Sequence, residues 1–247
     1  MSLPIINILK EPYVRWNMRL MRPDEIGVII PDGPGPNVRE GLKCNITDPV
    51  SAAIYAINEA GTDNGLTIHI ENMVKKHGSW ARSMPPVTPK DIARYQSHYP
   101  NCDLASVSNT IKEVGSVLSE GQYLFHGGFW PTAHGKNAQF VTTRPLSTTL
   151  SPNVAFAETL HGGKAYDAGR IDILVLKVKN PCTKIFAFKH KGTNLGHEME
   201  ILFASGATLK YIREQYIEDI TVGKCLPGSF HTQTKMVPAY IVEVEIS

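Results

Sequence analysis

The segment RIDILVLKVK at residues 170–179 constrains the fold of this chain more than any other part of the sequence. Its centre is a nearly continuous run of aliphatic side chains between charged ends. Such a run is typical of a buried strand rather than of one that alternates between core and solvent. We therefore expect the chain to fold around a sheet that contains this strand.

Shorter strands separated by loops fill the remainder of the second half. Few long helices and many strands indicate an α+β domain built on an antiparallel or mixed sheet. The predicted strands lie within residues 121–128, 139–152 (a strand or a hairpin), 198–204 and 238–246, and a short helix is predicted at Pro152–Leu160.

The first half is dominated by helical signals. Asp48 and Pro49 suit the cap and the first position of a helix over residues 49–60, which Gly61 can end. The spacing of apolar residues predicts a second helix over residues 106–118 with one buried face. The alternating LTIHI at residues 66–70 predicts a short strand. We expect residues 1–104 to form a mainly helical extension of unknown role, and residues 105–247 to form the domain that carries the chemistry.

Composition and charge exclude several classes of protein. Apolar residues make up 42% of the 247, which is enough for a sizeable core and excludes general disorder. The 25 basic and 23 acidic residues are too balanced to require a polyanionic partner. The four cysteines lie far apart and support neither a disulfide scaffold nor a zinc site. With no secretory leader or membrane span in the sequence, we expect a cytoplasmic protein that binds no membrane, although delivery into another cell would leave no such trace.

Three polar features stand out in the second half. His126 ends a predicted strand and is followed by two glycines, which let a flat ligand approach the backbone. A hydroxyl-rich strand, Ser147-Thr148-Thr149, precedes a helix. Glu198 and Glu200 are two residues apart in a predicted strand and would project from one face. Taken singly, each has a simpler explanation: a structural histidine before a turn, the strand propensity of threonine, and a solvated sheet edge.

Taken together and in this order, the three features resemble the motifs of the mono-ADP-ribosyltransferases, a family that includes many bacterial toxins and phage enzymes. The stretch LSTTLSPNVAFA is similar to the second motif of the family, and HEMEILFASGATLKY to the third, Gln/Glu-x-Glu. The resemblance covers about residues 105–247. It implies the split mixed or antiparallel sheet of that family with flanking helices.

One departure from the family pattern concerns the first motif. Toxins with a Ser-Thr-Ser strand usually carry arginine at the position of His126. A His-Gly pair there resembles the diphtheria-toxin and poly-ADP-ribose polymerase branch, which carries tyrosine where this chain has Ser147. The chain therefore presents a His-Ser-Glu combination, from which the acceptor is hard to infer.

The resemblance implies NAD as co-substrate, no metal, and cleavage of the bond between nicotinamide and ribose through an oxocarbenium-like transition state. Glu200 matches the second glutamate of the motif and would bind the ribose 2′-hydroxyl and stabilise the developing cation. Ser147 would orient Glu200. His126 would bind the adenosine-side ribose, and the backbone of Gly127 the nicotinamide amide.

Three further residues enter through the same resemblance. Ser147 and Thr148 would line the NAD pocket. Phe156 lies where related enzymes carry an aromatic ring that stacks on nicotinamide, and core packing is the equal alternative. Glu198 would act as general base toward the acceptor. The preceding segment, residues 190–197, would recognise that acceptor.

The acceptor is expected to be a macromolecule, with a protein arginine placed ahead of RNA or DNA. A nucleic-acid acceptor would be favoured if the lysines of residues 177–191 shared one face, although a lysine-protected strand edge is the simpler interpretation. An NAD glycohydrolase and a non-catalytic NAD- or partner-binding module are the alternatives. A toxin would also be expected to have an inhibitor protein.

Overall fold

The fold is described from a computed structural model that covers residues 2–33, 35–59, 64–77, 79–131, 138–189, 198–225, 228 and 231–247. Within these residues, ten strands form one mixed sheet: β1 Ser2–Leu3, β4 Ser116–Leu118, β5 Tyr123–Gly128, β6 Gln139–Val141, β7 Leu146–Thr149, β8 Ile171–Val178, β9 Lys184–Ala187, β10 Glu200–Phe203, β11 Thr208–Cys225 and β12 Thr232–Ile246. Their order across the sheet is β1-β4-β9-β10-β7-β5-β8-β12-β11-β6. The fold is α+β, as the sequence predicts.

Strand β8 is the buried strand expected from its apolar run. Every residue of it is buried except Lys177. It lies between β5, with which it pairs antiparallel, and β12, with which it pairs parallel. The only other parallel pair in the described sheet joins β1 to β4. The predicted segment 139–152 forms two strands that do not pair with each other, because β6 pairs with β11 and β7 with β10 and β5.

The described chain also contains helices and a two-stranded hairpin outside the main sheet. The hairpin pairs β2 Tyr13–Leu20 with β3 Asn37–Ile46. The helices are α1 Pro49–Asn58, α2 Gly65–His77, α3 Ser79–Ser83, α4 Lys90–His98, α5 Leu104–Val114, α6 Pro152–Leu160 and α7 Lys164–Ala168. No described helix combines the length and the apolar composition needed to cross a bilayer.

Two helices begin where side-chain caps are available. The carboxylate of Asp48 accepts from the backbone N–H groups of Val50 and Ser51, which confirms the predicted start of α1. Helix α1 ends at Asn58, two residues before the predicted end at residue 60, and Gly61 lies outside the described residues. Helix α5 begins at Leu104, two residues before the predicted start at 106, and ends at Val114, four residues before the predicted end at 118. Leu118 belongs instead to β4 and is buried in the sheet.

The predicted strand at residues 66–70 is wrong, because this segment is the first part of α2. Leu66 and Ile70 are fully buried one helical turn apart, whereas Ile68 between them is 56% exposed. A spacing of four residues fits both a strand that alternates and a helix with one buried face, so five residues do not distinguish the two.

The N-terminal region contains helices, as expected, but it also contains strands that the sequence did not predict. Strand β1 joins the main sheet, and its Leu3 belongs to the same hydrophobic core as Ile57 of α1 and Leu118 of β4. The expected division between residues 104 and 105 falls at the first residue of α5. It stays a prediction, and the two parts share one core.

Candidate active site

The sheet opens between β5 and β7. Their described ladder holds a single pair, Phe125 with Thr149, whereas β5 pairs with β8 along its whole length. Beyond that pair, the end of β5 and the start of β7 no longer form a ladder. His126, Gly127 and Ser147 therefore border an opening in the sheet instead of lying inside a continuous ladder.

The backbone of Gly127 faces this opening. The N–H of Val178 donates to the carbonyl of Gln122 at 2.8 Å, so alternate residues of β5 from Gln122 onward bond to β8. His126 and Gly128 belong to that series, and Gly127 does not. The N–H and C=O of Gly127 therefore point toward the β7 side, where an amide could bind both.

Both glycines after His126 are closely packed. A Cβ on Gly127 would overlap the carbonyl oxygen of Ala155, because α6 lies directly against β5. A Cβ on Gly128 would overlap Nε2 of His126. The absence of a side chain at Gly127 lets α6 pack against β5, and its absence at Gly128 leaves room for the imidazole of His126.

Glu200 is the buried carboxylate of the site. It is the first residue of β10 and is 7% exposed. The hydroxyl of Ser147 donates to its Oε1 at 2.7 Å, and the side-chain amide of Gln96 donates to its Oε2 at 3.1 Å. The strand register explains the first contact, since β10 and β7 pair Leu202 with Ser147 and thereby direct Ser147 and Glu200 to the same face.

Burial raises the pKa of Glu200 above its ordinary value. The hydrogen bonds from Ser147 and Gln96 oppose this shift, and the nearby carboxylates of Glu198 and Glu158 reinforce it. Both hydrogen-bond partners donate, so the arrangement fits the ionised carboxylate. A negative charge held in a poorly solvated site interacts strongly with any positive charge that develops beside it.

His126 is half-buried and fixed by one hydrogen bond. Its Nδ1 lies 2.7 Å from the carbonyl oxygen of Ser147. A carbonyl only accepts, so Nδ1 carries the proton and Nε2 of the neutral ring is an acceptor. The pKa of His126 is lowered, first by burial and also by the positive charges of Lys164 and Arg144, which keeps the ring neutral.

The structure does not bring Thr148 to the opening. Directly paired with Ile201, it projects from the face opposite to Ser147. It is 2% exposed, and its hydroxyl donates to the carbonyl of Ile201 at 2.8 Å. The prediction that Thr148 contacts NAD is therefore corrected, because strand alternation places its side chain on the opposite face of the sheet from that of Ser147.

Phe156 also lies in the core. This residue of α6 is 6% exposed and belongs to the hydrophobic cluster that includes Ala155 and Leu174. Of the two interpretations that the sequence left open, the structure favours core packing over stacking on a ligand.

Glu198 does not share a strand with Glu200. Strand β10 begins at Glu200, and Met199 between the two glutamates has a left-handed backbone with φ of 49°. The prediction that strand alternation places both carboxylates on one face is therefore wrong. Glu198 is half-buried, and its carbonyl accepts from the hydroxyl of Thr149 at 2.6 Å. Its carboxylate is close enough to raise the pKa of Glu200.

Sequence reasoning missed the contribution of helix α4. Gln96 reaches Glu200 from this helix, and the pKa of Tyr95 is raised by burial and then by the charge of Glu200. No motif marks either residue. The only available signal is the spacing of the buried residues Ile92 and Tyr95, which orients the helix and places Gln96 at the edge of its buried face.

The lysines considered as a nucleic-acid surface are dispersed. Lys177 lies in β8 and Lys184 in β9, and three strands separate β8 from β9 in the sheet order. Lys179 pairs with Glu120 at 3.2 Å, and Lys189 donates to the carbonyl of Pro86. Lys191 and the predicted acceptor loop at 190–197 lie outside the described residues. Among the described residues, no three side chains of His, Cys, Asp or Glu are grouped as metal ligands.

Comparison with known proteins gives structural similarity without sequence matches. No family model and no curated protein matches the chain. Similar solved structures include the ADP-ribosyltransferase Vis of Vibrio splendidus in complex with agmatine, at 12% identity and a TM-score of 0.46 over 78% of this chain and 90% of that one. They also include the ADP-ribosyltransferase C3larvin of Paenibacillus larvae, at 10% identity and a TM-score of 0.40 over 70% and 93%.

A third similar structure is the ADP-ribosylating toxin BECa of Clostridium perfringens with NADH. Identity is 14% and the TM-score 0.36, over 85% of this chain and 51% of that one. These proteins have the activity of the family that the sequence motifs resemble. With TM-scores below 0.5, they leave the function of this chain to be inferred from its own residues.

Proposed function

We propose that the chain is an NAD-dependent mono-ADP-ribosyltransferase that transfers ADP-ribose to a macromolecular acceptor. The observation that carries the proposal is the 2.7 Å hydrogen bond from Ser147 to the buried carboxylate of Glu200, at the opening between β5 and β7. A buried carboxylate held in its charged form is costly unless the charge is used. Cleavage of NAD at the nicotinamide–ribose bond uses it, because the sugar becomes positively charged in the transition state.

In this proposal Glu200 stabilises the oxocarbenium-like ribose and accepts a hydrogen bond from its 2′-hydroxyl. Glu200 is 7% exposed, so its charge acts with little screening by water. Ser147 keeps one carboxylate oxygen in place. The nicotinamide then leaves with the electron pair of the broken C–N bond, which neutralises its pyridinium nitrogen, and the acceptor nucleophile forms the new bond to the ribose carbon.

Two groups at the opening suit the remainder of NAD. The N–H and C=O of Gly127 face the β7 side and match the acceptor and donor of a primary amide such as that of nicotinamide. The neutral imidazole of His126 offers Nε2 as an acceptor for a ribose hydroxyl. Both assignments are proposals that rest on orientation and hydrogen-bonding capacity.

The acceptor in our proposal is a protein side chain, arginine first, with Glu198 as the general base that removes its proton. Glu198 is half-buried and lies close to Glu200, as that role requires.

RNA or DNA is the second candidate, but the dispersion of the described lysines removes the main observation in its favour. An NAD glycohydrolase would need the same residues, with water as the acceptor. An inhibitor protein is proposed only because a toxin needs one.

The experiment that tests the acceptor is incubation of the protein with cell lysate and NAD labelled in the adenylate, with Glu200→Gln as the control. A protein acceptor is supported if protease treatment releases the label and nuclease treatment does not. Label released by nuclease contradicts it and supports the nucleic acid. Free ADP-ribose without any labelled macromolecule indicates a glycohydrolase. If no NAD turnover depends on Glu200, only the non-catalytic binding module is left.

A further inference from the structure

We propose that Gln96 is a positioning residue that holds the second oxygen of the Glu200 carboxylate, which makes helix α4 of the N-terminal region part of the reaction site. The inference rests on the proposed function, because it assigns Gln96 a role in the reaction of Glu200. It concerns a residue that lies outside the part of the sequence that resembles the transferase family.

The two oxygens of Glu200 are held from different elements. Ser147 of β7 donates to Oε1 at 2.7 Å, and Gln96 of α4 donates to Oε2 at 3.1 Å. A carboxylate with a single donor can still rotate about its terminal bond, whose torsional preference is broad. A second donor on the other oxygen removes that freedom and fixes the plane of the carboxylate.

Helix α4 is anchored well enough to act as a fixed support. Ile92 is fully buried and Tyr95 nearly so. The hydroxyl of Thr110 on α5 donates to the carboxylate of Asp91 at 3.2 Å, which ties the two helices together. Gln96 follows Tyr95 directly and is half-buried, so its amide reaches Glu200 from a helix whose position is set by core contacts.

The charged and titratable groups around Glu200 determine how much the hydrogen bond from α4 affects its ionisation. The carboxylates of Glu198, before β10, and Glu158, in α6, both disfavour a negative charge on Glu200, and Tyr95 of α4 is a further titratable neighbour. The positive charges of Arg144 and Lys164 act on the adjacent His126. Among the groups that act on Glu200, the donors Ser147 and Gln96 are the ones that lower its pKa. Loss of either should therefore favour the protonated acid.

The test is the variant Gln96→Met, which keeps the length and helix propensity of the side chain but removes the donor. We expect kcat for NAD cleavage to fall about tenfold to a hundredfold, the range for a lost hydrogen bond to a charged group. KM for NAD should change less than about threefold. The acid limb of the kcat–pH profile should move to higher pH, because burial and the neighbouring carboxylates then act with less opposition.

Two controls separate positioning from a general structural effect. Gln233→Met makes the same chemical change on β12, where the glutamine accepts from Tyr166, and it should leave kcat and the acid limb unchanged. Gln96→Glu places a carboxyl group against Oε2 and should move the acid limb further than Gln96→Met, because two acids then share a proton.

A second readout does not depend on turnover. Carboxyl-labelled glutamate, with the Glu200 signal assigned through Glu200→Gln, reports the titration of Glu200 by NMR. A higher pKa in Gln96→Met supports the proposal, and an unchanged pKa overturns it. Reduced kcat with an unmoved acid limb and a lower melting temperature would also overturn it, as the sign of a structural role. If the wild-type protein does not cleave NAD, the proposed function fails, and the titration still decides whether Gln96 holds Glu200.

Discussion

The Nδ1 atom of His126 lies 2.7 Å from the carbonyl oxygen of Ser147, across the opening between β5 and β7. Ser147 therefore links two groups of the site, since its carbonyl fixes the imidazole and its hydroxyl holds the carboxylate of Glu200. The four residues of β7 thus set the relative positions of the proposed ribose-binding histidine and the proposed catalytic glutamate. Each group can be tested separately.

Ser147→Ala should lower kcat for NAD cleavage about tenfold to a hundredfold with little change in KM, because the charge-assisted bond to Glu200 is lost. The matched control is Thr148→Val on the opposite face of β7. That change removes the bond to Ile201 and should cost about 1 kcal/mol of unfolding free energy without a comparable loss of kcat. Steady-state kinetics and urea unfolding of both variants check this, and equal kinetic effects would contradict the assignment of the faces.

Glu200→Gln should raise the free energy of unfolding at neutral pH. The folded-state pKa of Glu200 is raised by burial, so the native protein binds the proton more tightly than the unfolded chain. Stability due to this group is therefore greatest below the unfolded pKa of about 4.3 and falls as pH rises through the folded-state value. Urea unfolding at pH 4 and pH 7.5 measures this, and a variant that is less stable than the wild type at pH 7.5 would refute it.

NAD affinity should not change with pH near neutrality and should weaken only in acid, below the ordinary histidine pKa of about 6.5. The pKa of His126 is lowered by burial, so the ring stays neutral and its Nε2 accepts until the pH falls below that lowered value. Calorimetric titration with NAD from pH 5 to 8 measures the dependence. His126→Ala should weaken binding about tenfold at neutral pH and abolish the acid loss, so that the two proteins converge in acid. A transition that persists in this variant belongs to another group.

Alanine at Gly127 and at Gly128 should have different consequences. At Gly127 the new Cβ would overlap the backbone of Ala155, so α6 has to shift, at a cost of about 3 kcal/mol or more. At Gly128 the three atoms nearest to the new Cβ all belong to the His126 ring, which can rotate away. Gly128→Ala should therefore keep most of its melting temperature and lose NAD affinity. If both variants lose the same stability, the packing account is wrong.

Elements that are determined by residues close together in the sequence could be predicted. Strand β8 follows from its own apolar run, and the start of α1 from the Asp48 cap. The pairing of Ser147 with Glu200 was expected through the motif resemblance, and the β7–β10 register now accounts for it. Thr148 and Glu198 were misplaced because a motif does not state where a strand begins or which side chain alternates inward.

The contribution of Gln96 could not have been predicted from the sequence. It contacts Glu200 across 104 positions of the chain, and its place depends on how α4 packs against α5. The strand prediction for residues 66–70 failed for a different reason, because the periods of a strand and of a helix coincide over so short a segment. Tertiary packing determines both the position of Gln96 and the helical conformation of residues 66–70.

We would measure the release of nicotinamide from NAD by the purified protein, with and without an acceptor that carries a guanidinium group, such as agmatine, and with Glu200→Gln alongside. We expect the wild type to release nicotinamide and Glu200→Gln to be slower by about a thousandfold or more, because the substitution removes the charge that faces the transition state. Equal rates for the two proteins, or no release by a folded wild type, would show that Glu200 does not catalyse NAD cleavage.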